Sequence, residues 1–220
     1  MGFDEWLDAE ALLEQGAQHR WPEGDDVSTL EVVEVCHLDL ATGQVVAVDP
    51  AYLGSFDEAW PVVAQVPPGI YPVLLSVVAL PSTRRTDLPR RLVTAATLKI
   101  SDNPVATWNW VDEGSDGNVL GVGVDAGTAC FYDASRRESL ALLSGDEDRV
   151  DAAIREASDA GFAAIPDASG GTAAVFISCG MGDGFYPIRI GRDASDRVAM
   201  VMVDLELLNH STGRAGRAAN

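Results

Sequence analysis

The sequence predicts an α+β fold that is predominantly antiparallel β. Many short runs are rich in valine, isoleucine and aromatic residues. Several alternate, as in Thr107-Trp108-Asn109-Trp110, the pattern of a sheet with one solvated face. Turn-forming stretches punctuate them: "ATGQ" at 41–44, "PPG" at 67–69, "DEGSDGN" at 112–118, "DAG" at 125–127 and "DASD" at 193–196.

In chain order, "FDEWLDAEALLEQGA" sets Phe3, Trp6, Leu7 and Leu13 on one helical stripe, with Gly16 as a stop. The polar stretch "HRWPEGDDVS" reads as loop. Strands are expected in "LEVVEVCHL", "QVVAVD", "YPVLLSVVAL", "RLVTAATLKI" and "ATWNWV". They are expected again in "NVLGVGVD", "TACFYD", "AAVFISC", "FYPIRIG" and "RVAMVMVDLELL". A helical insertion falls at about 134–160. There Ser144 and Glu147 have capping-box spacing, Val150, Ile154 and Ala157 share a face, and Gly161 closes the helix. The expected organisation is an N-terminal helix and loop over 1–30, one β-rich domain over 31–208 and a flexible tail over 209–220.

The 220 residues carry 34 acidic and 15 basic side chains, a formal net charge of −19. Such a chain repels phosphate backbones and anionic lipid, so nucleic acid and membrane are excluded as partners, whereas a basic protein is attracted. Lys99 is the sole lysine, a bias found in GC-rich bacteria and in salt-adapted proteins alike. Cys36, Cys130 and Cys179 are odd in number, widely spaced and without a C-x-x-C pair, which predicts reduced thiols in the cytoplasm. The acidic start is no secretory signal, and "YPVLLSVVAL" is about half the length of a membrane span.

"GIYPVLLSV" (69–77) and "GFYPIRIGR" (184–192) share G-x-Y-P followed by a strand. Glycine is expected to supply positive φ there, and proline at a strand's first position sacrifices no ladder bond. In "SCGMGDGFYPIRIG" (178–191), Asp183 has two readings. It caps its own turn through local amides, the reading favoured here, or it faces a ligand together with Gly184 and Tyr186. Asp49, Asp125, Asp133 and Asp183 all sit at strand ends and would suit a divalent cation or an acid–base pair if those ends converge. The "DAGT" turn at 125–128 resembles the turn of aspartic proteases, but the required second copy is missing. Cys179 is the best thiol candidate, with His37 a distant base, while His19 and His210 fall in loop or tail. Arg84, Arg85, Arg90 and Arg91 form a basic run that reads as solvated loop, and Trp108 and Trp110 read as core or interface.

Four segments resemble an uncharacterised bacterial family, the domain-of-unknown-function family 4241. They are "LDLATGQVVAVDP" (38–50), "PPGIYPV" (67–73), "VDAGTACFYDA" (124–134) and "SCGMGDGFYPIRIGRDASDRVAMVMVD" (178–204). Met181 stands where the family pattern has tryptophan. The resemblance implies a common domain and supplies no activity.

The reading that follows is a non-catalytic protein-binding module whose acidic surface suits a basic partner, such as a toxin or effector it antagonises. No cofactor or metal is expected. The alternative is an enzyme, small-molecule or divalent-metal dependent, built on the glycine loop and the strand-end aspartates. Asp183, Gly184, Tyr186, Asp125, Asp49 and Tyr71 are the candidate ligand-binding residues.

Overall fold

A computed structural model describes residues 7–21, 26–53, 61–80, 90–111 and 119–211. Among the described residues thirteen strands form two sheets that curve into a half-barrel, and every pairing is antiparallel.

The larger sheet has the order β1 (Gln18–Arg20), β2 (Val27–Leu40), β5 (Gly69–Leu80), β6 (Arg90–Lys99), β13 (Val198–Asp204), β12 (Gly184–Arg192) and β7 (Thr107–Trp110). β8 (Gly121–Val124) pairs with the first half of β12, and β7 pairs with its second half. The smaller sheet runs β10 (Phe162–Pro166), β11 (Thr172–Ser178), β9 (Thr128–Asp133), β3 (Gln44–Val48) and β4 (Ala64–Gln65).

The main core lies between the sheets. Leu38, Leu75, Leu98 and Ile188 of the larger sheet meet Val45, Phe131, Val175 and Ile177 of the smaller. Helices α1 (Arg137–Ser144) and α2 (Glu147–Ala160) cover the smaller sheet's outer face. Leu140, Val150 and Ala157 pack there on Cys130, Tyr132 and Phe176. Burial on both faces explains why "TACFYD" is buried at every position and does not alternate. On the larger sheet's other face, Leu12 and Leu208 from short 3₁₀ turns cover Leu30, Val78 and Met202.

The strand runs and the helical insertion stand where the sequence put them, with local corrections. α2 is capped by Asp146, which accepts the Arg149 amide at 3.3 Å, and not by Ser144, whose hydroxyl donates to the Ala141 carbonyl as the last residue of α1. Gly161 closes α2 at φ +92°. The expected N-terminal helix is a 3₁₀ turn, Ala9–Leu13, with Phe3 and Trp6 outside the described residues. His19 is not in a loop but fully buried in β1. His210 ends the 3₁₀ turn Leu207–His210, where Asn209 accepts the Leu7 amide at 2.9 Å. Of the arginine run, Arg84 and Arg85 lie outside the described residues, and Arg91 pairs with Glu31 at 2.7 Å.

Strand direction sorts the candidate residues by sheet end. Val45 opposes Asp133 and Val48 opposes Cys130, so Asp49 emerges beside the start of β9 while Asp133 faces the β2–β3 turn. Gly184 opposes Val124, which brings Asp183 to Asp125. β5 begins at the end of the larger sheet where β12 finishes, so Tyr71 and Tyr186 stand at opposite ends.

Candidate functional site

Asp49, Asp125, Asp183 and Gly184 line one cavity of about 620 Å³ with Tyr52. Its walls are apolar: Ala47 and Val63 on one side, Leu120, Val122 and Val124 of the β8 segment on the other. Among the described residues no lysine, arginine or histidine lines it.

The three aspartates differ in what they have left to offer. Asp49 is buried and engaged at both oxygens. One accepts the Ala51 amide at 2.7 Å and caps the 3₁₀ turn Pro50–Tyr52. The other accepts the amides of Asp125 at 2.7 Å and Ala126 at 3.0 Å. Asp49 thus ties the end of β3 to the turn before β9. Asp183 is exposed and accepts the Gly127 amide at 3.0 Å, a residue from that same turn. It therefore braces a neighbouring loop. The expectation that it caps its own turn gives way, because its amide donor comes from residue 127. Asp125 is exposed and accepts from the Tyr52 hydroxyl. That hydrogen bond, with the charges of Asp125 and Asp49, holds the Tyr52 phenol above its ordinary pKa.

Asp133 does not join them. It is fully buried beside the β2–β3 turn and accepts the Thr42 amide at 2.9 Å, the Thr42 hydroxyl at 2.7 Å and the Ser135 amide at 2.9 Å. Burial alone would raise its pKa, but the hydrogen bonds from Ser135 and Thr42 outweigh that and lower it.

The two tyrosines also stand apart from the cavity's lining. Tyr186 is buried and donates to the Gly182 carbonyl at 2.8 Å. Tyr71 donates to the Pro67 carbonyl at 2.6 Å and lines a different cavity, of about 560 Å³, near Arg192 and Arg197. Both tyrosines bond the carbonyl four residues upstream, closing the turn that feeds the strand, as tyrosine corners do. Neither Gly69 nor Gly184 has positive φ. A side chain at Gly69 would press on the Tyr71 ring at 3.0 Å, and one at Gly184 would reach the Tyr186 ring at 3.4 Å. The repeated motif is a structural corner; at Gly69 a side chain would crowd the ring, whereas at Gly184 it would make ordinary contact with it. Positive φ is supplied in this loop by Gly182, at +92°.

Among the described residues no three His, Cys, Asp or Glu side chains are grouped so as to hold a metal ion. The thiols are placed for packing. Cys179 and Cys130 are buried, and burial first, then the charge of Asp49, pushes both well above the ordinary thiol value. Burial raises Cys36 to about 11. His37 is exposed on β2, 3.5 Å from Glu34.

The family assignment covers these walls. The chain belongs to the DUF4241 family. The family model, described as a protein of unknown function, matches residues 38–203. No curated protein and no solved structure matches the chain. The DUF4241 match runs from the last three residues of β2 to Val203 in β13, so it leaves out β1 and includes every described residue that lines the cavity.

Tyr52 and the glycine-rich β8 wall escaped the sequence reading. Tyr52 has one local signal, its place three residues after the capping Asp49. Phe185 rests where a Gly121 side chain would lie, a relation that only the β8–β12 pairing reveals.

Proposed function

We propose that the protein is a non-catalytic binding module that engages a basic protein partner at the mouth of the acidic cavity. The observation that carries this is the lining itself, which among the described residues has three carboxylates, no basic residue and apolar walls. Asp125 and Asp183 face solvent, where they attract a cation from outside the molecule. The formal net charge of −19 adds long-range steering of the same sign.

The lining argues for binding over turnover. Its best-placed buried carboxylate, Asp49, is consumed by backbone amides, and the Cys179 thiol is buried, which raises its pKa and favours the protonated form. The three free cysteines suit a reducing cytoplasm. An antagonist of a basic toxin or effector is one module of this kind. No helix of the described residues is long and apolar enough to cross a membrane.

Affinity capture from the source cell tests the reading. A stoichiometric basic protein should be retained at low salt and released as ionic strength rises past the physiological range. Retention that ignores salt, or an acidic partner, would refute it.

A further inference from the structure

Resting on that reading, the chemistry of the cavity narrows the contact to one side chain. We propose that the cavity takes an arginine of the partner, its guanidinium set between Asp125 and Asp183.

Each of these carboxylates uses one oxygen within the protein, Asp125 Oδ2 for the Tyr52 hydroxyl and Asp183 Oδ1 for the Gly127 amide. Among the described residues no donor engages the second oxygen of either. Two acceptors on separate loops suit a planar, many-donor fork better than a point charge. The walls make the same choice. Ala47, Val63, Leu120, Val122 and Val124 offer no polar atom beyond backbone. An ammonium ion entering there loses tightly held water, whereas a guanidinium is weakly hydrated and lies against apolar surface at lower cost.

The rim supplies the grip for a protein segment as opposed to a free cation. Met181 and Phe185 flank Asp183 in sequence and are 56% and 49% exposed. The Phe185 ring lies against Gly121, a wall residue, without itself lining the cavity. A residue flanking the inserted arginine would cover these exposed side chains.

The test uses the full ¹⁵N-labelled chain and three probes: a capped five-residue peptide with a central arginine between leucines, its lysine counterpart, and free arginine. Amide shifts at Gly121, Gly123, Gly127 and Gly184 report occupancy. The arginine peptide should move them, with the lysine peptide and free arginine each binding at least tenfold more weakly. The Asp125→Asn/Asp183→Asn variant should lose at least tenfold while its other amides stay in place, because asparagine still accepts the Gly127 amide. Equal binding of the lysine peptide overturns the guanidinium assignment. Equal binding of free arginine overturns the protein-segment assignment in favour of a small cation. If no probe binds while salt-sensitive capture of a basic partner persists, the cavity is not the contact surface, although the binding-module reading survives.

Discussion

Replacing Asp49 by alanine should damage the fold, whereas replacing Asp183 should not, although both line the cavity. Asp49 accepts three backbone amides, at 2.7, 2.7 and 3.0 Å, from a fully buried position. Hydrogen bonds to an ionised group contribute about 1.5–3 kcal/mol each when truncated. The amides of Asp125 and Ala126 lie next to an open cavity and regain part of this from water, leaving a loss of about 3–5 kcal/mol. For a chain of this size that lowers the thermal midpoint by roughly 6–20 °C. Asp183→Ala removes a single 3.0 Å bond from an exposed carboxylate and should cost about 0.5–1.5 kcal/mol. Urea unfolding monitored by tryptophan fluorescence measures both. An Asp49→Ala midpoint within about 1 kcal/mol of wild type, or equal losses for the two variants, would refute the division between structural and ligand-facing carboxylates.

Arg189 and Asp204 form a buried pair at 2.6 Å, and Arg189 also donates to the Leu7 carbonyl and lies 4.0 Å from the Trp110 ring. Arg189→Ala strands the Asp204 carboxylate and should cost about 3–5 kcal/mol in urea unfolding, with Arg189→Met/Asp204→Leu recovering most of it. Acid should destabilise the protein through Asp133, Asp167 and Asp193. The Ser169 hydroxyl holds Asp167 below the usual carboxylate value, and the Arg197 amide and guanidinium hold Asp193 at about 2. The folded pKa values are depressed, so this stability is complete above about pH 4 and is lost as pH falls toward 2. Asp193→Asn should flatten the decline of the urea midpoint below pH 4, and an unchanged decline would contradict it. Iodoacetamide at pH 8 should leave Cys130 and Cys179 unmodified in the native protein and label all three cysteines in urea, as read by intact mass. Gly43→Ala should destabilise strongly, because Gly43 has φ +73° and a side chain there would overlap the Val66 carbonyl.

Much of the fold was legible because most strands announce themselves over several residues. β12 and β13 read as apolar runs, and α2 as a helix with a glycine stop. The strands that escaped, β1, β4 and β10, are two to five residues long, and β10 ends in proline. The capping residue of α2 shifted because Asp146 competes with Ser144 two positions earlier, and spacing alone does not rank them.

The site was half legible. That strand-end aspartates meet depends on pairing register, which places Asp49 and Asp133 at opposite ends of one β3–β9 ladder. Sequence neighbours could not reveal that Asp183 braces residue 127, because the bond spans 56 positions. The G-x-Y-P echo carried a correct structural message with the wrong cause, since neither glycine has positive φ and the tyrosine hydroxyl closes each corner.

The dissociation constant of the captured basic partner for the Asp125→Asn/Asp183→Asn variant bears most directly on the proposed role. It should rise at least tenfold over wild type at physiological salt while the thermal midpoint stays within a few degrees. An unchanged constant, with the variant folded, would contradict the assignment of this cavity as the binding surface.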